Sequence, residues 1–280
     1  MNAETLTMTF EAFPNTKIEK NVENGDYVIG DTLYCGQCNT PKTARRRTTD
    51  GYKQVACLCD CEARKIRKEN EDRIAKEKQE KISRLKVTGF AEPRFRTYQF
   101  GEDDGSKAYK IAKAYVAQFK EMAKKNFGLM LMGKTGVGKT YLSACICNAL
   151  MEQGYACLMT NLERLADDYV KAESKVGYLN SLNKYDLLVI DDYGSERQTE
   201  YMHNFAYEII DSRYRAWKPI IVSTNLDKKE LKDMRDNRER VNSRLLEMTT
   251  IVEVEHSDRR AKLCKSRDDE MFNILGVERS

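Results

Sequence analysis

The 280-residue sequence has no apolar run approaching the roughly 18–20 residues that a membrane-spanning helix requires. It also lacks the basic start and apolar stretch of a secretory signal, because it opens with the residues MNAET. We therefore expect a cytoplasmic protein without a membrane partner. Internal repeats and low-complexity tracts are missing as well. The hydrophobic share of 41% is ample for a folded core and argues against wholesale disorder.

A strong excess of either charge is missing too, since 48 basic residues face 44 acidic ones and give a net charge of +4. This balance does not by itself indicate a nucleic-acid partner. The segment from Asn39 to Ala56 nevertheless carries one acidic residue (Asp50) and five basic ones, namely Lys42, Arg45, Arg46, Arg47 and Lys53. Such a basic loop is able to neutralise phosphates, and the alternative is a solvated surface loop without a ligand.

Nine cysteines in a chain expected to be cytoplasmic do not indicate a disulfide framework. Five of them form a C-x-x-C pair followed after 18 residues by C-x-C-x-C, at Cys35, Cys38, Cys57, Cys59 and Cys61. Thiolates suit Zn²⁺, and structural zinc sites take four ligands. We predict that the C-x-x-C pair binds zinc with two cysteines of the second group. Within the second group, Cys57 and Cys61 are the initial choice of ligands, and Cys59 is able to replace either of them. The other four cysteines are predicted to be small hydrophobic residues, at Cys145, Cys147, Cys157 and Cys264.

A highly charged segment divides the chain. Residues 62–86 contain 16 charged residues among 25 and no glycine or proline, which predicts a long solvated helix ending at Thr88-Gly89. We expect a cysteine module over 1–61, a charged helical linker over 62–88 and a larger domain over 89–280. The first 30 residues are weakly patterned and allow one short helix.

Beyond residue 90, apolar strand-like runs alternate with amphipathic helical stretches. This alternation predicts an α/β domain whose parallel sheet is covered on both faces. The strand-like runs are 127–132, 156–160, 185–190, 219–223 and 250–255. The helix candidates are 106–125, 139–152, 161–175, 199–216 and 237–247.

A phosphate-binding motif links the first of these strands to its helix. The segment GKTGVGKT fits G-x-x-x-x-G-K-[ST], and its glycines allow backbone N–H groups to face phosphate oxygens. Lys139 is predicted to reach the β- and γ-phosphates of a nucleotide, and Thr140 to offer its hydroxyl to Mg²⁺. The predicted nucleotide-binding residues are Gly133, Lys134, Thr135, Gly136, Val137, Gly138, Lys139 and Thr140.

Two later strands end in polar residues. Asp191 and Asp192 follow the apolar run LLVI, and we assign the first to the Mg²⁺ ion and nucleotide and the second to the attacking water as general base. Two aspartates after a strand are also ordinary turn residues. Asn225, after the run IIVST, is predicted to sense the γ-phosphate or orient the water, and it is also a candidate cap for a helix starting near Asp227.

These motifs together resemble the AAA+ ATPases, and among them the DnaC-like helicase loaders and the related IstB-like transposition helpers. The resemblance covers roughly residues 88–265 and extends more loosely to the cysteine module. The matching segments are FAEPRFRTYQF, GKTGVGKT, LLVIDDYGSE, IIVSTN and ERVNSRLL.

The resemblance implies a five-stranded parallel sheet, with nucleotide bound at the edge of one subunit against the next. By this resemblance Arg244 is the arginine finger for a neighbouring subunit's ATP, with Arg240 as the alternative. Arg259 resembles a second arginine that senses nucleotide, although Glu255 stands where such loaders often carry glycine. The helix at 161–175 occupies the place of an element used towards DNA, which makes Lys171, Lys175 and Tyr178 candidate contacts.

The expected function is therefore an ATP-hydrolysing loader that places a hexameric replicative helicase on single-stranded DNA and self-associates through its ATP site. The expected cofactors are ATP, Mg²⁺ and Zn²⁺. An IstB-type transposition helper shares the same core, although a DNA-binding segment is then expected in place of the cysteine module. A non-catalytic adapter switched by nucleotide is the alternative from another class. A small-molecule kinase finds little support in these motifs.

Overall fold

The computed structural model describes residues 18–20, 25–49, 51–101, 105–196, 199–232 and 238–255, together with 271, 274 and 275. The chain forms two compact units, Met1–Lys78 and Gln79–Ser280. The charged segment is a single helix, α1 (Asp60–Gly89), and the boundary between the units falls inside it. Among the residues just given, no helix is long and apolar enough to cross a membrane.

The N-terminal unit is built from short antiparallel strands. A three-stranded sheet has the order β1-β2-β3, and a separate two-stranded hairpin is formed by β4 and β5. The basic segment of the sequence is this hairpin rather than an irregular loop, and two short strands occupy part of the region where one short helix was expected. The strands are β1 (Ile18–Lys20), β2 (Tyr27–Ile29), β3 (Thr32–Tyr34), β4 (Thr43–Thr48) and β5 (Gly51–Ala56).

The C-terminal unit is organised by a five-stranded sheet of order β10-β6-β9-β8-β7, in which every neighbouring pair is parallel. This confirms the predicted α/β fold, and the strands lie within three residues of the apolar runs. The strands are β6 (Gly128–Met132), β7 (Cys157–Thr160), β8 (Leu187–Tyr193), β9 (Ile220–Thr224) and β10 (Thr249–Glu253).

Helices cover both faces of this sheet. Along β6, Leu129 and Leu131 belong to one buried cluster, whereas Met130 and Met132 belong to the other. Because alternate strand residues point to opposite faces, the continuous apolar runs are explained by burial on both sides. The helices are α2 (Lys107–Ala117), α3 (Phe119–Lys124), α4 (Lys139–Glu152), α5 (Leu162–Lys171), α6 (Lys175–Leu182), α7 (Glu200–Arg215), α8 (Lys228–Lys232) and α9 (Arg238–Met248).

Two predicted helices differ from the structure in their extent. The stretch 106–125 is broken at Gln118 into α2 and α3. The stretch 161–175 ends at Lys171, and a new helix begins at Lys175 because the Ser174 side chain accepts a hydrogen bond from the backbone N–H of Gly177.

Candidate nucleotide site and cysteine cluster

The glycine-rich loop lies between the end of β6 and the start of α4. Gly136 and Gly138 have φ values of 87° and 103°, in the left-handed region that glycine adopts without steric cost. Gly133 passes so close to the end of β10 that a Cβ atom there would lie 2.5 Å from the carbonyl oxygen of Val254. Val137 is buried in the core and anchors the middle of the loop. The loop therefore has the strand–loop–helix setting that the motif requires.

Lys139 is the first residue of α4 and is only 5% exposed. Its Nζ donates to the carbonyl oxygens of Gly133 at 2.7 Å and Lys134 at 2.9 Å, and to Asn225 Oδ1 at 2.5 Å. A buried ammonium requires such acceptors, and the phosphate oxygens of a nucleotide are acceptors of the same kind. The structure thus brings together the two residues predicted to handle the γ-phosphate.

Asp191 lies at the carboxyl end of β8, next to the start of α4. Its Oδ1 accepts from Thr140 Oγ1 at 3.2 Å and from the Ser223 hydroxyl. Burial raises the pKa of Asp191, the Asp192 charge raises it further, and the hydrogen bond from Ser223 opposes this shift. A carboxylate and a hydroxyl at this separation are oxygen ligands of the kind that Mg²⁺ prefers. The two residues assigned to magnesium are therefore neighbours.

Asp192 has a strained backbone. Its φ of 55° is unusual for a residue other than glycine, and the strand register is irregular between Ile190 and Tyr193. Its N–H donates to Ser223 Oγ at 2.9 Å, and its side chain is exposed, in contrast to the half-buried Asp191. The two aspartates are thus not equivalent turn residues, because the bulge presents the second one to solvent.

Ser223 is the residue of this site that the sequence did not single out. It lies on β9, which is the strand between β6 and β8 in the sheet. One hydroxyl therefore donates to Asp191 and accepts from the backbone of Asp192. The available signal was the polar strand end Ser-Thr-Asn, from which only Asn225 was chosen.

The alternative role of Asn225 as a helix cap is wrong. The cap of α8 is Asp227, whose Oδ1 accepts from the N–H groups of Lys229 and Glu230, each at 2.7 Å. Glu230 Oε2 accepts in return from the N–H of Asp227 at 2.6 Å, which completes a capping box. Asn225 is left to contact Lys139.

Arg244 lies on α9 against α7. Its guanidinium carbon is 4.1 Å from the centre of the Tyr214 ring, and its nitrogens lie 3.4 Å from Glu247 and 3.7 Å from Asp211. Its side chain is half-buried, and Arg240, one turn earlier on the same helix, is exposed. Arg259 and Cys264 lie outside the described residues.

A buried contact joins β8, the strand that carries Asp191 and Asp192, to helix α9. Tyr193 at the end of β8 donates its hydroxyl to Asn242 Oδ1 at 3.0 Å, and Asn242 Nδ2 donates to the carbonyl oxygen of Leu231. Asn242, at the centre of the ERVNSRLL motif, therefore has a structural role. It fixes α9, the helix that carries Arg244, to the strand that carries Asp191.

Of the three candidate DNA contacts, two have structural roles. Lys175 donates to the carbonyl oxygen of Val170 at 3.1 Å and lies 4.5 Å from the centre of the Tyr169 ring. The Tyr178 hydroxyl donates to the carbonyl oxygen of Leu165 at 3.1 Å. These contacts lie at the C-terminal end of α5. Lys171 and Lys175 are both exposed, whereas Tyr178 is half-buried.

Four cysteines converge in the N-terminal unit. The sulfur atoms of Cys35, Cys38, Cys59 and Cys61 all lie within 4.8 Å of one another, and the first and third are buried. Cys57 is outside the group, and its sulfur contacts the carbonyl oxygen of Pro41 at 3.4 Å. From the second group the structure thus brings Cys59 and Cys61 into the cluster, and the initial choice of Cys57 is wrong.

The thiols of this cluster have different surroundings. The Thr40 hydroxyl, 3.1 Å from Cys38 Sγ, lowers the pKa of that thiol to about 6. Contacts with Cys59 and Cys35, at 3.2 and 3.4 Å between sulfur atoms, raise the pKa of Cys61 to about 12. Four thiols this close cannot all ionise unless a cation offsets their repulsion.

Comparison with known proteins now gives the family. The profile of a family described as IstB-like ATP binding protein matches residues 45–266. The chain belongs to this family. The family confirms the predicted ATP-binding AAA+ class and its DnaC/IstB-like branch, which agrees with the phosphate loop and the strand ends described above.

Among curated proteins, the replicative helicase loader DnaC of Escherichia coli is 28% identical over 142 residues. The aligned part is 49% of this chain and 57% of that protein. The phage-like element PBSX protein XkdC of Bacillus subtilis is 30% identical over 131 residues, which cover 42% of this chain and 48% of that protein. The alignment thus spans only about half the length of these relatives.

Solved structures show the same fold. The crystal structure of DnaI has a TM-score of 0.52 at 24% identity and covers 63% of this chain and 99% of its own. A putative primosome component from Streptococcus pyogenes has a TM-score of 0.53 at 21% identity and covers 65% of this chain and 98% of its own. These likenesses support the AAA+ fold.

Proposed function

We propose that this protein is an ATP-hydrolysing loader that places a hexameric replicative helicase on single-stranded DNA when DNA replication begins. The observation that carries the ATPase part is the set of contacts at the strand ends, where Lys139 meets Asn225 and Thr140 meets Asp191. A helicase is proposed as the protein that is loaded because the chain is similar to helicase loaders.

In the proposed reaction, water attacks the γ-phosphorus of ATP and releases ADP and phosphate. Lys139 exchanges its carbonyl and Asn225 acceptors for phosphate oxygens and offsets their charge. Thr140 and Asp191 would hold Mg²⁺, which neutralises charge on the β- and γ-phosphates when bound. The exposed Asp192 accepts a proton from the attacking water, and Asn225, once released by Lys139, orients that water.

The proposal assigns the arginine finger to Arg244, acting on the ATP of a neighbouring copy. Its present partners are Tyr214, Glu247 and the buried Asp211. When Arg244 leaves, Asp211 keeps its ion pair with Arg215 at 2.8 Å. Arg240 is the alternative on the same helix. Self-association through the ATP site follows, because one chain alone then holds an incomplete site.

We also propose one structural Zn²⁺ ion in the N-terminal unit, held by Cys35, Cys38, Cys59 and Cys61. Tetrahedral coordination with Zn–S bonds of about 2.3 Å places sulfur atoms about 3.8 Å apart, and the four thiols lie within 4.8 Å of one another. Four sulfur donors without an open position are typical of a structural site. The unit and helix α1 are proposed to bind the helicase.

A transposition helper is the second candidate, and the name of the family is the observation that favours it. The two candidates share the ATP site and differ in the partner that they deliver. A nucleotide-switched adapter differs from both in lacking turnover.

The deciding experiment is a pull-down from a bacterial extract with and without a non-hydrolysable ATP analogue. Recovery of a hexameric helicase by the wild-type chain is expected. Lys139→Ala serves as the matched control for dependence on nucleotide. Recovery of a transposase instead would replace the first candidate by the second, and an absence of phosphate release at any protein concentration would favour the adapter.

A further inference from the structure

The hairpin of β4 and β5 concentrates positive charge on a small exposed element. Residues 43–56 contain four basic side chains and one acidic one, which gives +3. Every residue of β5 is exposed, and so are the three consecutive arginines of β4. Because no packing holds these side chains, the core of the unit does not explain their presence.

The register of the hairpin places like charges directly opposite each other. Arg46 pairs with Lys53 across the two strands, and Arg47 pairs with Tyr52. Like charges at directly opposite positions destabilise a sheet, since their Cβ atoms lie only about 5 Å apart. An anion bound between the two cations removes this repulsion.

Few carboxylates offset this charge. Among the residues that the structure describes, none forms an ion pair with Arg46, Arg47 or Lys53. Arg45 lies 3.3 Å from Asp31, but both side chains are more than 70% exposed, so this pair is weak and easily replaced. Lys42 is different, because it is tied to Asp26 at 3.0 Å and Glu62 at 3.1 Å. The basic side chains of the hairpin, unlike Lys42, are therefore available to bind an anion.

An exposed aromatic ring lies on the other face of the hairpin from the Arg46–Lys53 pair. Tyr52 is 70% exposed, and strand alternation puts it on the face that also carries Arg45, Arg47 and Gln54. A ring on the same face as two arginines combines a stacking platform with cations for the flanking phosphates. Stacking of this kind requires an unpaired base, which favours a single strand over a duplex.

The hairpin is held at its base next to the cysteine cluster. The N–H of Cys57 donates to the carbonyl oxygen of Lys42 at 2.8 Å, and the N–H of Lys42 donates to that of Leu33 at 2.7 Å. Both strands therefore leave the cluster from fixed points, so the cations and the ring project from a rigid base.

We infer that the hairpin Thr43–Ala56 is a binding site for single-stranded nucleic acid. Tyr52 stacks on a base, Arg45 and Arg47 bind phosphates on the same face, and Arg46 and Lys53 bind phosphates where the strand passes the other face. This site is separate from the ATP site and lies in the unit to which helicase binding has been assigned. It does not depend on helicase loading as the function.

The test measures binding of the full-length protein to a fluorescein-labelled oligothymidine by fluorescence anisotropy over a series of salt concentrations. The charge variant is Arg46→Ala/Arg47→Ala/Lys53→Ala. The matched control is Arg64→Ala/Arg67→Ala/Lys68→Ala, which removes the same charges from exposed positions on α1 in the same unit. Zinc content checks that each variant keeps its fold.

The charge variant is expected to lose affinity and to lower the slope of log affinity against log salt by about 2, because each lost phosphate contact contributes about 0.7 for a single strand. The control is expected to keep most of the wild-type slope. Tyr52→Ala is expected to weaken binding on the order of tenfold, whereas Tyr52→Phe keeps the ring and binds normally.

Three results would overturn the inference: no binding by the wild type, equal losses in the charge variant and its control, or no effect of Tyr52→Ala. Helicase recovery is measured on the same variants. If the charge variant loses the helicase but still binds the oligonucleotide, the hairpin is a protein-docking surface and the inference fails. Failure of the wild type to recover a helicase would instead refute the proposed function and leave the oligonucleotide result unaffected.

Discussion

The proposed zinc site makes a prediction that separates two cysteines only two positions apart in the sequence. Cys59→Ser removes a sulfur atom from the four-cysteine group, whereas Cys57→Ser changes a thiol outside it. Among the described residues of the N-terminal unit, Cys35 and Cys59 are the only buried apolar side chains. The part of the unit that the structure describes thus has no hydrophobic core to hold its short strands together if the metal is lost.

The expected size of the effect follows from the coordination number. Structural zinc contributes about 10–16 kcal/mol to the folding of small zinc peptides. If four thiolates share this evenly, one is worth ~2.5–4 kcal/mol, or about two to three orders of magnitude in zinc affinity. Cys59→Ser, like Cys38→Ser, is therefore expected to lose its metal to a chelator at a concentration lower by that factor. Cys57→Ser is expected to behave as the wild type.

The assay is titration of freshly purified protein with a chromogenic chelator, combined with metal analysis that should give one zinc per chain. Far-ultraviolet circular dichroism should report loss of the small sheets when the metal leaves. Nucleotide binding should stay near normal, since the ATP site lies wholly within the other unit. An absence of zinc from the wild type, or equal sensitivity of the Cys57 and Cys59 variants, would refute the reasoning.

Three further predictions concern the ATPase unit. Lys139→Ala is expected to abolish nucleotide binding or turnover, whereas Asp192→Asn should bind normally in a nucleotide titration and stop phosphate release; turnover equal to wild type in Asp192→Asn would contradict the assigned base. Arg244→Ala and Lys139→Ala chains should each be inactive alone and regain part of the ATPase activity when mixed. A mixture that co-assembles and stays inactive would transfer the role to Arg240 or to a partner protein. Arg213 is fully buried and donates to three carbonyl oxygens at 2.6–3.1 Å, so Arg213→Met should lower the free energy of unfolding in urea by ~3–5 kcal/mol. Arg215 is exposed and makes one ion pair, with Asp211, so the same change there should lower it by less than Arg213→Met does. Similar losses for the two would argue against this role.

The sequence by itself determined the features that depend on neighbouring residues. The phosphate loop was recognisable because its glycines and Lys139 act through local backbone geometry. The parallel strands were recognisable because burial on both faces leaves continuous apolar runs such as LLVI. Both signals extend over a few residues and need no knowledge of distant parts of the chain.

The tertiary structure decided what depends on distances between remote residues. Five cysteines met the chemical requirement for zinc, and only the fold separated Cys59 from Cys57, because the path of the hairpin takes one into the cluster and the other away from it. Ser223 joins Asp191 and Asp192 because β9 lies between β6 and β8, an order that no local pattern contains. Which polar side chains meet is fixed by the packing of strands and helices, since a hydrogen bond or a metal ligand requires atoms within a few ångströms in space, regardless of their separation along the chain.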